Sequence, residues 1–530
     1  MKKLFIVTSC VIFAIITLKF AACDAFSPKM SSKQIEKFEQ KEDFVASTAS
    51  LRSGIFTIRK TKVVATLGPA SSSEDMIRRL IAAGVNVFRL NFSHGTHETH
   101  KNNASIIRKI EVEIGTKLTI MADLQGPKIR IGAFENGKIL LKTGDVFTLD
   151  LSEELGNRKR VSLPHPEIFE ALNVGTELLL DDGRIKLRVV ASNKKEIKTT
   201  VVDGGMLSDR KGVNIPNAIL PIAALTKKDK EDIDVINGMD VDLVAISFVQ
   251  TADDLLNARK IINKDIMIVA KIEKPSAVQN IDSIIEVADA IMVARGDLGV
   301  ELRYELVPST QKILINKARY YRKPVIVATQ MLESMVSAPV PTRAEVSDVA
   351  SAVVQGADAV MLSAETASGA YPEEAVKAMV RTIFQAENDG IGAMVENHAN
   401  ATAMSEAIAK IVEKEEIKYI IVQTESEHMV TDIANSRPKA KIIALTTDVK
   451  VLRRLGLVWG ICAICTDEMR DFLKIERTIQ GVLSNFGIGE GERIAIVTDG
   501  QSEQPVQPLL SCNYGICVST VRNLKEKTRT

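Results

Sequence analysis

Eight short apolar, β-branched runs recur along the chain from residue 62, and each of them ends in polar or charged residues. Such runs are typical of buried parallel strands. Their starts are separated by 23, 33, 123, 25, 23, 35 and 33 residues, so every interval except the third has room for one helix and two loops. The runs occupy residues 62–67, 85–90, 118–122, 241–246, 266–270, 289–294, 324–328 and 357–362. This pattern predicts an α/β fold, a (β/α)₈ TIM barrel with its site at the C-terminal ends of the strands.

The long third interval predicts a domain inserted into the barrel, which we place at residues 127–222. Its glycine-punctuated, alternating segments indicate a small antiparallel β barrel, and a domain that hangs over the mouth of a larger barrel is well placed to act as a lid. The catalytic barrel would then comprise residues 61–126 and 223–390. Helical and strand-like runs alternate over residues 391–530 and predict a C-terminal α/β regulatory domain.

The first residues resemble a secretory leader, because Lys2 and Lys3 precede an apolar run over residues 4–18 and small residues follow. That run is shorter than the roughly 20 residues that span a bilayer, so stable membrane insertion is not expected. The alternative is that translation starts at Met30 and that residues 30–60 form an ordinary N-terminal segment. We favour this alternative, which predicts a cytoplasmic protein; a translated leader over residues 1–29 would direct it to another compartment.

The charge balance excludes two classes of partner. The 68 Lys and Arg residues nearly cancel the 67 Asp and Glu residues, which leaves a formal net charge of +1. The chain therefore has no field of a single sign that would attract nucleic acid or an anionic membrane. Any anionic ligand must be held by local residues.

Polar residues that suit phosphate and metal chemistry stand at the ends of five predicted strands. Glu273 and Asp297 are hard oxygen ligands on adjacent strand ends, which suit Mg²⁺ or Mn²⁺. Lys271 lies two residues before Glu273, so both side chains point to the same face of the strand. Together with Arg89, this lysine can stabilise the charge of a moving phosphoryl group, and Thr329 offers a hydroxyl near the same point.

Each of these signals alone has an ordinary structural explanation. A single Lys-x-Glu is usually a solvated strand end, and a single Arg-Gly-Asp is usually a turn, whereas agreement among five strand ends favours a site. Ser363 and Glu365, after the eighth strand, fit a supporting or packing role. An aldolase or lyase that acts through an enolate would use similar metal ligands but would not need the inserted domain. A catalytically inactive binding or regulatory relative is disfavoured, because Lys271 and both metal ligands are present.

Six segments resemble the pyruvate kinase family in order and spacing: FRLNFSHG, ADLQGPKIRIG, KGVNIP, IMIVAKIEKPSAV, MVARGDLGVE and ATQMLESM. The resemblance runs from about Thr61 to about Ala386 and continues more loosely to the end. It implies phosphoryl transfer from phosphoenolpyruvate to ADP, which gives pyruvate and ATP in the last step of glycolysis. It also implies a requirement for Mg²⁺ or Mn²⁺ and a homotetramer.

The resemblance implies a role for each matching residue. Lys271, Arg89 and Thr329 would be catalytic, with Lys271 stabilising the transition state. The phosphoenolpyruvate contacts would be Arg89, Lys271, Gly296, Asp297 and Thr329. The nucleotide contacts would be Asn91, Phe92, Ser93, His94, Arg130 and, from the inserted domain, Lys211. The divalent metal would be held by Glu273 and Asp297, and the monovalent cation of potassium-dependent members by Asn91, Ser93, Asp123 and the carbonyl of Leu124.

Lys128 departs from the potassium-dependent members of the family. Those members have Glu at this place in the Gly-Pro-x-Ile-Arg motif, and Leu124 and Gln125 replace their common Thr-Lys pair. A lysine ammonium near a bound potassium would repel it and could supply the positive charge itself. We therefore predict that Lys128 supplants the monovalent cation and that potassium is not required. The alternative is that Lys128 turns to solvent and leaves the ion site intact.

A second departure concerns regulation. Members that are activated by fructose 1,6-bisphosphate carry a Ser/Thr- and Gly-rich loop after the first strand of the C-terminal domain. Here residues 424–429 (TESEHM) contain no glycine and two carboxylates, and residues 499–504 contain no basic residue. Carboxylates repel phosphate, so we predict that this sugar bisphosphate does not activate the protein.

Overall fold

The structure is a computed structural model that describes residues 59–115, 117–216, 222–388, 400–466, 491–498 and 515–520. All of these residues belong to one compact unit, Thr48–Thr530. The leader-like residues 1–29 and the companion phosphate-loop stretch 499–504 lie outside the described residues. Across the part of the chain that is described, no helix is both long enough and apolar enough to cross a membrane.

Eight parallel strands close into a barrel, which confirms the predicted TIM barrel. The strands lie side by side in the order β1-β16-β15-β14-β13-β12-β3-β2, and their ends differ from the predicted ones by at most two residues. The barrel strands are β1 Lys62–Leu67, β2 Val87–Asn91, β3 Thr119–Asp123, β12 Leu243–Ile246, β13 Met267–Ile272, β14 Ala290–Ala294, β15 Val325–Ala328 and β16 Ala359–Leu362.

Helices connect the barrel strands, and side-chain caps fix where several of them begin. Thr226 and Thr342 each form a capping box, in which the threonine hydroxyl and an acidic side chain three residues later satisfy the free N–H groups of the first turn. The helices are α1 Glu74–Ala83, α2 His97–Ile114, α4 Lys227–Asn237, α5 Ala252–Arg259, α6 Pro275–Gln279, α7 Ile281–Val287, α8 Arg295–Glu301, α9 Val307–Tyr320, α10 Arg343–Gln355, α11 Ala364–Ala367 and α12 Pro372–Asn388.

The chain between β3 and β12 forms a separate, curled β sheet with its own apolar core. Six strands pair in the order β11-β7-β8-β9-β5-β6, and β4 pairs with β10; β5 and β6 are parallel and the other pairs are antiparallel. The elements are β4 Lys138–Leu141, β5 Val146–Asp150, β6 Arg160–Ser162, α3 Pro166–Ala171, β7 Glu177–Leu180, β8 Ile185–Ser192, β9 Glu196–Asp203, β10 Gly205–Ser208 and β11 Val213–Asn214. Alternate residues face this core, as the alternating sequence predicts.

The described residues of the C-terminal part form an α/β sheet of five strands in the order β19-β18-β17-β20-β21, and among these strands only β21 is antiparallel. The described elements are α13 Ala403–Lys414, β17 Tyr419–Gln423, α14 Glu427–Asn435, β18 Lys441–Thr446, α15 Val449–Arg454, β19 Ile461–Cys465, β20 Arg493–Thr498 and β21 Gly515–Thr520.

The C-terminal sheet is joined to the barrel at the N-terminal ends of the barrel strands. Leu457, in the 3₁₀ turn Leu455–Leu457, is fully buried and packs into the apolar cluster that fills the barrel interior. Beside it, Arg453 Nη2 lies 2.7 Å from Glu111 Oε2 and Nη1 lies 2.8 Å from Asp240 Oδ1. These contacts are on the opposite end of the barrel from the polar strand ends that the sequence singles out.

Candidate active site

Arg89, Asp123 and Lys271 form a buried ionic cluster at the C-terminal ends of β2, β3 and β13. Arg89 Nε lies 2.6 Å from Asp123 Oδ2, and Lys271 Nζ lies 3.2 Å from Asp123 Oδ1. Arg89 Nη1 also donates a hydrogen bond of 3.0 Å to Thr66 Oγ1. Among the described residues, no hydrogen bond involves Arg89 Nη2, so this nitrogen can donate to a ligand.

Glu273 extends this cluster, and its carboxylate faces the same ammonium. Glu273 Oε1 lies 3.0 Å from Lys271 Nζ, as the spacing of two residues along one strand predicts. Its other oxygen, Oε2, accepts a 2.7 Å hydrogen bond from the backbone N–H of Phe248, a residue held at a left-handed φ of 54°. Positive φ is strained for a bulky residue, and such strain is concentrated at functional sites.

The pKa values in the cluster follow from burial and charge. Burial alone would lower the pKa of Lys271, but the carboxylates of Asp123 and Glu273 outweigh it and raise that pKa above its ordinary value. Burial raises the pKa of Glu273, and Lys271 opposes this shift only in part. Burial would also raise the pKa of Asp123, but Arg89 and Lys271 outweigh it and lower that pKa. The lysine is therefore charged at neutral pH.

Gly296, Asp297 and Thr329 lie together at the ends of β14 and β15. Gly296 N donates a 2.7 Å hydrogen bond to Thr329 Oγ1, and a side chain at position 296 would meet that oxygen at 3.3 Å. Thr329 and the next residue, Gln330, have left-handed φ values of 66° and 54°. A β-branched residue rarely adopts this conformation, so the fold holds Thr329 in a specific and strained position.

Lys128 reaches towards one of the predicted metal ligands. Its Nζ lies 3.7 Å from Asp297 Oδ1, and about a third of each side chain is exposed. Lys128 stands just after Gly126, where the chain leaves the barrel for the inserted domain; Gly126 has a φ of 67°, and a Cβ there would lie 2.7 Å from Ser247 Cβ. Only glycine fits this turn, which fixes the direction in which Lys128 leaves the barrel.

The residues that are predicted to contact the nucleotide lie at the end of β2 and in the loop after it, and hydrogen bonds and a ring contact hold them in place. Asn91 Oδ1 accepts from Ser93 N at 3.2 Å, and the buried ring of Phe92 stacks on His100 at 4.3 Å between ring centroids. The side chains of Ser93 and His94 are exposed, while the carbonyl of His94 contacts His100 Nε2 at 2.9 Å. The polar side chains of the loop are thus accessible to a ligand on a rigid support.

The two predicted nucleotide contacts of the inserted domain lie beside each other. Arg130 pairs with Gly212 in an isolated β-bridge, next to Lys211, and Arg130 Nη1 donates to the carbonyl of Arg210 at 3.0 Å. Lys211 Nζ lies 2.7 Å from Asp181 Oδ1. The structure therefore places these two residues on neighbouring backbone segments of the inserted domain.

A cavity of about 750 Å³ adjoins the strand ends. The inserted domain contributes Asp182 and Arg184 to its lining, and the barrel contributes Gly296, Asp297 and Gln330 among others. A cleft of this size between two domains is typical of a small-molecule site.

Sequence reasoning assigned no role to two side chains that support the cluster. Ser247, directly after β12, accepts a 2.6 Å hydrogen bond from Lys271 Nζ. Arg295 is buried and donates from Nη2 to the carbonyl of Thr329 at 2.7 Å, while its Nη1 lies 2.7 Å from Asp348 Oδ1. Arg295 was visible as a charged residue at a strand end, whereas a single serine gives no sequence signal. Glu365 has a supporting role, since it accepts from the backbone N–H groups of Leu332 and Ser363.

The carboxylates suit a divalent metal that keeps ligand sites for water and substrate. Glu273 Oε1 is buried beside the Lys271 ammonium at 3.0 Å. The strands β13 and β14, which Glu273 and Asp297 follow, are neighbours in the barrel. Among the described residues, no group of three or more His, Cys, Asp or Glu side chains could hold a metal by itself. Two hard oxygen ligands fit Mg²⁺ or Mn²⁺, which are usually held by one or two carboxylates together with substrate oxygens.

A (β/α)₈ barrel with buried cations, two carboxylates that suit a divalent metal and an inserted β domain defines a class of enzymes that stabilise charge on a transferring or enolising anion. The family model described as "Pyruvate kinase, barrel domain" matches residues 58–376, and "Pyruvate kinase, alpha/beta domain" matches residues 402–507.

Curated relatives agree with both models. The chain is 45% identical over 420 residues to a pyruvate kinase of Methylorubrum extorquens. The matched region covers 78% of this chain and 88% of the relative. A pyruvate kinase of Agrobacterium vitis is 46% identical over 426 residues, with 78% and 88% covered, and one of Geobacillus stearothermophilus is 44% identical over 448 residues, with 81% and 76% covered. The chain belongs to the pyruvate kinase family.

Proposed function

We propose that this chain transfers the phosphoryl group of phosphoenolpyruvate to ADP, the reaction of its family, and that the cluster around Lys271 carries out the transfer. The observation that supports these roles most directly is the buried arrangement of Arg89 and Lys271 on the carboxylates of Asp123 and Glu273. Isolated cations at these depths would be costly, and the carboxylates keep them charged and fixed in place.

Arg89 and Lys271 act on the charge of the transferring group. Arg89 is held through Nε and Nη1, which leaves Nη2 to donate to a phosphoryl oxygen. Lys271 carries a full positive charge and can turn one N–H towards the bridging oxygen, where negative charge develops as the P–O bond breaks. Donors that are already oriented stabilise this charge without reorganisation during the reaction.

Glu273 and Asp297 would hold the divalent metal, which when bound would supply positive charge to the phosphoryl group. The rigid backbone of Gly296 would contact the substrate beside them. Lys271 is the ion-pair partner of Glu273 at 3.0 Å, so its ammonium stands beside the carboxylate that would hold the metal. We propose that this ion is Mg²⁺ or Mn²⁺.

Breaking of the P–O bond leaves the enolate of pyruvate, which must take up a proton at carbon. Thr329, or a water that it holds, would deliver this proton. Its Oγ1 accepts from Gly296 N and donates to the carbonyl of Ala328 at 2.6 Å, so two hydrogen bonds fix the hydroxyl beside Gly296. Arg295 keeps the strained backbone of Thr329 in this place.

The nucleotide would lie between the loop after β2 and the inserted domain. Asn91, Phe92, Ser93 and His94 lie on the barrel side, and Arg130 and Lys211 lie on the side of the inserted domain. Two cations suit the phosphates of ADP. The inserted domain would therefore act as a lid that brings them to the acceptor phosphate.

Four broader expectations accompany this proposal. The functional domains are residues 61–126 with 223–390, 127–222 and 391–530, and the assembly is a homotetramer. Lys128 replaces the monovalent cation, which the 3.7 Å approach of its ammonium to Asp297 supports, since it places positive charge at the site. A cytoplasmic location is supported by the lack of any cysteine between Cys23 and Cys462, which leaves this stretch without disulfides.

One coupled assay tests the activity and separates the alternatives. The purified chain should form pyruvate from phosphoenolpyruvate only when ADP and Mg²⁺ are both present, with one ATP formed per pyruvate. An aldolase or lyase would act without ADP, and an inactive relative would form no pyruvate under any of these conditions. Pyruvate formation that is independent of ADP would contradict the proposal.

A further inference from the structure

Ser247 occupies a buried position between the proposed catalytic lysine and the start of the inserted domain. Only 1% of its surface is exposed. Its Oγ accepts a 2.6 Å hydrogen bond from Lys271 Nζ and donates a 2.7 Å hydrogen bond to the carbonyl of Leu124. The hydroxyl therefore accepts a hydrogen bond from the ammonium and donates its own hydrogen to the backbone.

The bond to Leu124 orients the hydroxyl. Because its hydrogen points to the carbonyl, a lone pair of Ser247 Oγ is directed at the ammonium. The serine cannot shift easily, since Gly126 packs so closely that a Cβ there would lie 2.7 Å from Ser247 Cβ. The carbonyl is itself fixed, because the N–H of Leu124 donates to the carbonyl of Ala245 in β12 at 3.0 Å.

Ser247 differs from the other two partners of Lys271 in being neutral. The ammonium has three N–H groups, and its neighbours are Ser247, Asp123 and Glu273. Asp123 is shared with Arg89, and Glu273 is the proposed metal ligand. When metal and substrate bind, Ser247 is the partner that neither competes for the metal nor carries a charge that would repel a phosphoryl oxygen.

We propose that Ser247 is a positioning residue that aims the ammonium of Lys271 at the transferring phosphoryl group. This inference rests on the proposed role of Lys271 in phosphoryl transfer. Without the hydroxyl, the ammonium lies with its two carboxylates and is drawn away from the substrate. The loss affects the transition state more than the bound ground state, so it lowers kcat rather than substrate affinity.

The test compares Ser247→Ala and Ser247→Cys with the unmodified protein. Cysteine keeps the bulk that packs against Gly126 but accepts hydrogen bonds poorly, so it separates positioning from packing. We expect kcat to fall about 10- to 100-fold in the alanine variant and by a smaller factor in the cysteine variant, which follows from the loss of one hydrogen bond to a charged group. The KM values for phosphoenolpyruvate and ADP should stay within about threefold, because the ground state is bound as before.

The matched control is Ser405→Ala in the C-terminal part, which removes a buried serine hydroxyl that donates to the carbonyl of Thr402. Its kcat should equal that of the unmodified protein. Thermal unfolding of each variant shows whether the fold is intact. A folded Ser247→Cys variant with kcat within twofold of the unmodified protein would overturn the inference, as would a loss expressed only in KM. If the unmodified protein itself forms no pyruvate, the proposed function fails instead, so the two failures are distinguishable.

Discussion

Replacing Lys271 by methionine tests the site most directly. Its ammonium balances the negative charge of two buried carboxylates and is proposed to balance that of the substrate as well. Its Nζ lies 3.0 Å from Glu273 Oε1 and 3.2 Å from Asp123 Oδ1. At an effective dielectric constant near 20, two unit charges at such a distance attract by roughly 5 kcal/mol before desolvation is counted. The net cost of removing one partner of a buried pair is about 3–5 kcal/mol, since the other charge stays buried.

We therefore expect two effects of Lys271→Met. The kcat for pyruvate formation should fall by about 10³-fold or more, because charge aimed at the transferring group is lost. The free energy of unfolding, measured with urea in EDTA, should fall by about 3–5 kcal/mol, and Mg²⁺ should restore part of it by binding near Glu273. Turnover should remain low with Mg²⁺ present, which separates stability from catalysis.

The stability loss should depend on pH with a definite sign. Burial already raises the pKa of Glu273 above its unfolded value, and removing Lys271 raises it further. Between the unfolded and the folded pKa, the folded state binds more protons than the unfolded state, so stability falls as pH rises. The free energy of unfolding of the variant should thus be closest to that of the unmodified protein in mildly acidic buffer. The difference between the two should widen as the pH rises towards the folded pKa that Glu273 has in the variant.

The matched control is Lys317→Met, which removes an exposed ion pair with Asp282 at 2.7 Å. Exposed pairs contribute about 0–1 kcal/mol, so neither stability nor turnover should change much. The reasoning about the site would be refuted if Lys271→Met kept turnover within tenfold of the unmodified protein. A metal-free stability loss no larger than that of the control would refute the electrostatic part.

Three further outcomes are expected. The protein should be active in potassium-free buffer with a bulky organic cation, and Lys128→Glu should make activity depend on potassium; near-zero activity of the unmodified protein that potassium restores more than tenfold would contradict this. Sub-millimolar fructose 1,6-bisphosphate should not shift the phosphoenolpyruvate saturation curve, and a clear leftward shift would contradict this. The reason is that Glu425 carries a carboxylate in the candidate loop and Glu427 adds another at the start of α14, where it pairs with Arg454 at 3.2 Å. Leu457→Ala should lower the free energy of unfolding by about 2–5 kcal/mol, because it leaves a cavity in the fully buried barrel interior. In the same urea titration, Leu256→Ala at a half-exposed helix position should change it by less than about 1 kcal/mol. Equal effects of the two variants would rule out the packing argument.

The sequence by itself determined the architecture. Strands that are buried on both faces must be apolar along their length, so each barrel strand is visible as a short β-branched run between polar segments. The ends were less certain because polar residues such as Asp123 and Lys271 belong to the strands themselves: β3 ends at Asp123, and β13 runs to Ile272. Inside the mouth of a barrel, polar side chains pair with one another rather than with water, so polarity there does not mark the end of a strand.

The tertiary structure decided how the predicted residues meet. The rule that strand ends converge predicts that Arg89, Lys271 and Glu273 lie near one another. That Asp123 pairs with both Arg89 and Lys271 is visible only in the closed barrel. The approach of Lys128 to Asp297 depends on the direction in which the chain turns at Gly126. That direction is set by packing against Ser247, which follows a strand far away along the chain, so no local pattern reveals it.

Ser247 and Leu457 show the same limit most clearly. A single serine after an apolar run and a single leucine in a short turn carry no distinctive pattern in sequence. Their roles arise from contacts with residues far away along the chain: Ser247 with Leu124 and Lys271, and Leu457 with the interior of the whole barrel. Periodicity and motifs determine which elements form and which chemistry is present, whereas close packing between distant segments determines which side chains hold that chemistry in place.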